Sequence, residues 1–78
     1  MAKSVKVYST STCPYCNMLK TFLQEKNIQF ENIDVGSNPE KAREMIQKSG
    51  QMAVPVIDIA GKIIVGFNKE VISKELGL

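Results

Sequence analysis

Apolar and polar positions change their period several times along this chain, and each change marks an element. From Lys3 to Ser9, Val5 and Val7 alternate with Lys6 and Tyr8, which predicts a first strand. Ser9-Thr10-Ser11-Thr12 is a polar loop. From Cys13 onward, Tyr15, Met18, Leu19, Phe22 and Leu23 recur at helical spacing, one face of an amphipathic helix. Pro14 suits its first turn, where the N–H that proline lacks would be unpaired anyway. Ile28 to Val35 predicts a second strand, although its alternation slips by one residue between Phe30 and Ile33. Ser37-Asn38-Pro39-Glu40 starts a second helix, either with Ser37 and Glu40 as a capping box or with Asn38 as cap and Pro39 first in the helix. Ala42, Met45, Ile46 and Ser49 line one face of it, and Gly50 ends it.

Val54 to Ile59 and Lys62 to Val65 predict two strands joined in a hairpin at Ala60-Gly61. Gly66 interrupts, and Val71, Ile72, Glu75 and Leu76 predict a last helix closing at Gly77. The order βαβαββα makes an α/β fold: early strands alternate with helices, late ones form a hairpin, and a mixed sheet flanked by helices follows. No linker or repeat divides the chain, and its 78 residues suit one domain, residues 1–78, with a single small core.

Charge narrows the function classes. Ten basic residues are scattered among eight acidic ones for a net +2, with none of the basic stripes that nucleic-acid binding shows. No apolar run approaches the roughly eighteen residues of a membrane span. Met1 to Lys6 leads straight into the first strand without a hydrophobic leader or cleavage pattern, which predicts a cytoplasmic protein.

Both cysteines lie in Ser11-Thr12-Cys13-Pro14-Tyr15-Cys16. As a staple they would close a very short loop and remove little chain entropy. As a metal half-site they supply two of zinc's four ligands in a chain with no histidine, so a metal or cluster would need a second copy or an external thiol. A redox centre is the favoured reading of a lone Cys-x-x-Cys in a reducing compartment. The thiolate is the nucleophile, and a free thiol is only roughly 3% thiolate at neutral pH. A helix N-terminus contributes up to about 2 kcal/mol to an anion, and first-turn N–H groups contribute further; Pro14 has none, so Tyr15 and Cys16 are the candidate donors. Cys13, at the exposed helix mouth, is the expected attacking thiol. Cys16, one turn in against the apolar face, is the expected resolving thiol, less exposed and less acidic.

Three motifs in order, Cys13-Pro14-Tyr15-Cys16 after a first strand, Val54-Pro55 opening the hairpin and Gly66 before the last helix, resemble the glutaredoxin family within the thioredoxin fold over nearly the whole chain. The resemblance implies a four-stranded mixed sheet with three helices and a cis peptide bond before Pro55. It also implies that the Val54 backbone lies beside Cys13 and pairs with an extended substrate chain like an added strand. Tyr15 is then either a ring lining the active-site groove or a core aromatic. Phe67 is a recognition residue or the hydrophobic contact preceding a helix, with recognition favoured.

The departures from that pattern bear on the substrate. Glutathione-using members commonly carry a lysine three residues before the first cysteine, where this chain has Thr10. They commonly follow two glycines with acidic residues, where this chain reads Val65-Gly66-Phe67-Asn68-Lys69-Glu70. Charged partners for both ends of glutathione are missing, leaving backbone donors near Gly66 and the Asn68 side chain to compensate. Gly66-Phe67 instead looks like NrdH-type redoxins, which a flavin-dependent thioredoxin reductase reduces and which serve ribonucleotide reductase.

The expected protein is a monomeric dithiol thiol–disulfide oxidoreductase with no bound cofactor. Glutathione or a flavin-dependent reductase donates its electrons, and disulfide-containing proteins, ribonucleotide reductase or a peroxidase among them, receive them. Membership of the family implies a potential of about −200 to −230 mV. Two other classes compete: a non-enzymatic iron-sulfur or metal carrier bridging two copies through Cys13, and a thiol-based sensor that forms the disulfide without turnover. Pro14 argues against the carrier, because cluster-handling relatives often have glycine there.

Overall fold

The computed structural model describes residues 4–77, and Lys3, the expected start of the first strand, lies outside them. Strand β1 spans Val5–Ser9, helix α1 Pro14–Glu25, strand β2 Glu31–Asp34 and helix α2 Pro39–Ser49. Strands β3 (Val56–Ile59) and β4 (Lys62–Val65) and helix α3 (Lys69–Leu76) follow. The sheet order is β2-β1-β3-β4, with β1 parallel to β2 and antiparallel to β3, and β3 antiparallel to β4. This is the expected four-stranded mixed sheet with three helices.

Alternation along the strands gives the sheet two apolar faces. Val5, Val7, Ile57, Ile59 and Ile64 bury one face against Leu19 and Leu23 of α1 and Ile72 of α3. Tyr8, Ile33 and Val56 bury the other against Met45 of α2. The slip in the second strand now has a cause. Phe30 packs towards the α1 face and Ile33 towards the α2 face, so the segment serves both layers. The strand itself is Glu31–Asp34, paired with β1 alone at the edge of the sheet.

Two further expectations change, and one open alternative is resolved. The buried face of α1 is Cys16, Leu19 and Leu23, whereas Tyr15 and Met18 are exposed; with Phe22 they form a flanking stripe one residue round the helix. Asn38, not Ser37, caps α2: its Oδ1 accepts from the Lys41 N–H at 3.3 Å, and the Ser37 hydroxyl turns back to donate to Asp34. Tyr8, which alternation grouped with Lys6 on the polar side, is fully buried. Its hydroxyl donates to Glu44 Oε2 at 2.6 Å and accepts from Lys48 Nζ at 3.1 Å, and Lys48 also bridges to Asp58 at 3.0 Å. α2 is thus fastened to β1 and β3 by a polar network as well as by apolar contact.

The hairpin turn falls at Ala60-Gly61, as expected. Both residues adopt positive φ, 52° and 95°, which a two-residue turn matching the strand twist requires.

Candidate active site at Cys13 and Cys16

The end of β1 feeds the polar loop, and the loop delivers Cys13 to the start of α1. The Cys13 N–H donates to the Thr10 carbonyl at 3.4 Å, and Cys13 takes extended backbone angles as the N-cap, φ −96° and ψ 110°, with Pro14 following in the first turn. A cap residue normally offers a side-chain oxygen to the free N–H groups of the first turn; here sulfur does so. Of the two candidate donors it is Cys16 whose N–H points at Cys13 Sγ, at 3.2 Å. The sulfur therefore lies where the helix start best accommodates negative charge.

One turn further on the environment reverses. Cys13 is partly exposed and Cys16 wholly buried, both as free thiols. Burial, and then the hydrogen bond with Cys13, push the Cys16 thiol up to about 11, against weaker opposing effects of a Thr10 backbone hydrogen bond and the Lys20 charge. At neutral pH Cys16 is a protonated thiol. The two sulfurs thus differ in access and in environment, by virtue of a three-residue spacing on one helix.

The other singled-out residues come from the second half of the chain. The Val54–Pro55 peptide is cis, as the resemblance implied. This segment precedes β3, and no hydrogen bond engages the Val54 backbone among the described residues. The Pro55 carbonyl instead accepts from the Gly66 N–H at 2.8 Å, tying the two motifs together across the hairpin. Gly66 sits at φ 85°, a conformation open to glycine at little cost.

Tyr15, with 62% of its surface exposed, is no core aromatic. Phe67 is half-buried and meets Phe22 edge-on, ring centroids 6.1 Å apart. The Lys69 ammonium lies 5.9 and 5.8 Å from the two ring centres. Phe67 and Phe22 also line an open groove of about 320 Å³ with Met18 and Thr21; helical spacing alone had assigned Met18 to the core. Asn68 is the N-cap of α3, its Oδ1 accepting from the Val71 N–H at 3.2 Å. Among the described residues no three His, Cys, Asp or Glu side chains converge to hold a metal ion.

Residues 5–64 match the sequence profile of the Glutaredoxin family. A glutaredoxin-like 8.6 kDa protein in a rubredoxin operon of Clostridium pasteurianum is 49% identical over 70 residues, 90% of this chain and 93% of the relative. Glutaredoxin 3 of Escherichia coli K12 is 38% identical over 63 residues, covering 81% of this chain and 76% of its own. The structure of the glutaredoxin-like protein NrdH-redoxin from Escherichia coli superposes with a TM-score of 0.82 at 22% identity, over 91% of this chain and 92% of that one; this likeness is one of fold.

Proposed function

Because the chain belongs to the glutaredoxin family of thiol–disulfide oxidoreductases, we propose that Cys13 and Cys16 are its redox couple and that it reduces protein or small-molecule disulfides. The observation that carries this reading is the contrast between a partly exposed sulfur capping a helix and a buried, protonated thiol one turn away.

The chemistry follows in two exchanges. Cys13, as thiolate, attacks one sulfur of a substrate disulfide; a Cys13–substrate disulfide forms and the other half leaves as a thiolate. Cys16 then gives up its proton to that thiolate or to water and attacks Cys13 Sγ. The Cys13–Cys16 disulfide forms, and the second half of the substrate leaves reduced. Two electrons have passed to the substrate. Two thiols from the donor, with their protons, restore the dithiol. A high thiol pKa keeps Cys16 from competing in the first step, while attachment to one helix supplies the effective concentration for the second.

Substrate binding rests on Val54, whose backbone is free to pair with an extended chain beside the cis-Pro55. Tyr15 lines the same site, with Gly66, Phe67 and Asn68 forming the wall towards α3. The reductant is glutathione or a flavin-dependent reductase, and the compartment is the reducing cytoplasm. Among the described residues no helix is long and apolar enough to cross a membrane.

Trapping tests the couple. Cys16→Ser should accumulate a mixed disulfide with substrate, seen as a mass increase that a reductant removes, and Cys13→Ser should accumulate none. The opposite pattern would reverse the roles. The donor is decided by adding glutathione with its reductase to one sample of oxidised protein, and NADPH with a flavin thioredoxin reductase to another, then titrating free thiols. Rapid reduction by one system alone identifies the donor class.

A further inference from the structure

A second concavity opens beside the Val54 segment that precedes β3, with none of the residues that line the Phe67 groove. It encloses about 330 Å³ between the active-site loop and α2, and Thr10, Val35, Ala42, Met45, Met52 and Val54 contribute to its walls. Two of these residues belong to the thiol site: the Thr10 carbonyl holds the Cys13 N–H, and Val54 precedes the cis proline. The groove is therefore continuous with the place where a substrate chain would lie.

Its chemistry is uniform. No charged side chain lines it. The charge hydrogen-bonded to its rim is acidic: Asp34 Oδ1 accepts from the Gly36 N–H at 2.9 Å. A carboxylate entering here would lose water and find no cation, which is costly. An apolar side chain would gain by burial. Met52, 83% exposed at the lip, offers a flexible apolar surface that adapts to varied shapes.

We propose that this groove is a specificity pocket for an uncharged apolar side chain flanking the reactive cysteine of a polypeptide substrate, so that the protein favours such protein disulfides over acidic ones. The proposal rests on the Cys13–Cys16 reading, and deepens it by naming the substrate class. The occupant is a side chain of the polypeptide that pairs with Val54, because Val54 belongs both to the groove and to the free backbone.

The test uses pre-reduced full-length protein in single-turnover reactions with two cysteine peptides, each in mixed disulfide with 2-mercaptoethanol. One carries leucine and the other aspartate on both sides of the cysteine, and rates are divided by those with dithiothreitol to remove intrinsic thiol reactivity. The wild-type rate constant for the leucine peptide should exceed that for the aspartate peptide by about tenfold, the scale on which apolar pockets discriminate. Met52→Gln should bring the ratio towards unity, and Ala42→Lys should favour the aspartate peptide. Wild-type constants within about twofold of each other, or a ratio that neither substitution moves, would overturn the pocket while leaving the redox couple standing. Failure of the wild-type protein to reduce either peptide or bis(2-hydroxyethyl) disulfide would overturn both.

Discussion

What separates Cys13 from Cys16 is the side of one helical turn on which each sulfur lies. Cys16 shares the buried stripe with Leu19 and Leu23, so its thiolate would have to form away from water. Burial raises its pKa to about 11 from the ordinary 9.0, equivalent to about 2–3 kcal/mol. Between those values the unfolded chain has lost a proton that the folded chain retains. The contribution is therefore full below about pH 9 and is lost as pH rises through about 11. Urea unfolding across this range should show wild-type stability declining, and Cys16→Ala should decline less steeply. Equal declines would mean that burial of this thiol does not govern alkaline stability. Local sequence was enough to expect the Cys13 and Cys16 environments, because both follow from position in the first helical turn. It did not announce that Asn68, expected as a substrate contact, also caps α3 through its side-chain oxygen.

Helix α2 shows how an element is fixed by charge as well as by its apolar face. Burial pushes the Asp58 carboxyl up, but hydrogen bonds from Lys48 and the Gly61 N–H more than offset this and hold it below the usual range. A carboxylate so depressed supports the fold above its unfolded-state pKa, and that support is lost as pH falls through the lower folded value. Lys48→Met would leave Asp58, 8% exposed, without its ammonium partner. Acid unfolding followed by circular dichroism should then begin at higher pH than in wild type. An unmoved midpoint would show that the bridge contributes nothing to holding α2 on the sheet. Nothing in the local sequence announced this network: Tyr8, Glu44, Lys48 and Asp58 come from three elements, and each alone resembles a solvated polar residue.

For the whole molecule, one sheet joins two apolar layers that belong to different helices. A chain of 78 residues is expected to have a total stability of only about 4–12 kcal/mol. Leu19→Ala, at a fully buried position in the α1 layer, should remove about 3 kcal/mol. Because β1 contributes Val7 to one layer and Tyr8 to the other, the two layers should melt together. Tyrosine ultraviolet absorbance, which changes on unfolding chiefly through buried Tyr8 because Tyr15 is already exposed, and far-ultraviolet circular dichroism should give coincident denaturation curves in both proteins, shifted in the variant to lower denaturant. Separated curves would show that the α2 layer unfolds on its own.

The sequence by itself determined the element order, the hairpin turn and the cysteines at a helix start. Each depends on residues near one another in the chain: period, proline and glycine placement, and capping. Tertiary structure alone decided that Phe30 and Ile33 serve opposite faces, that Tyr15 and Met18 stand outside the core, and that Tyr8 is buried with charged partners. It also brought Thr10 and Val54 to one apolar groove. These outcomes depend on which surfaces the sheet order and helix rotation bring together, and packing across distant segments has no counterpart in local periodicity.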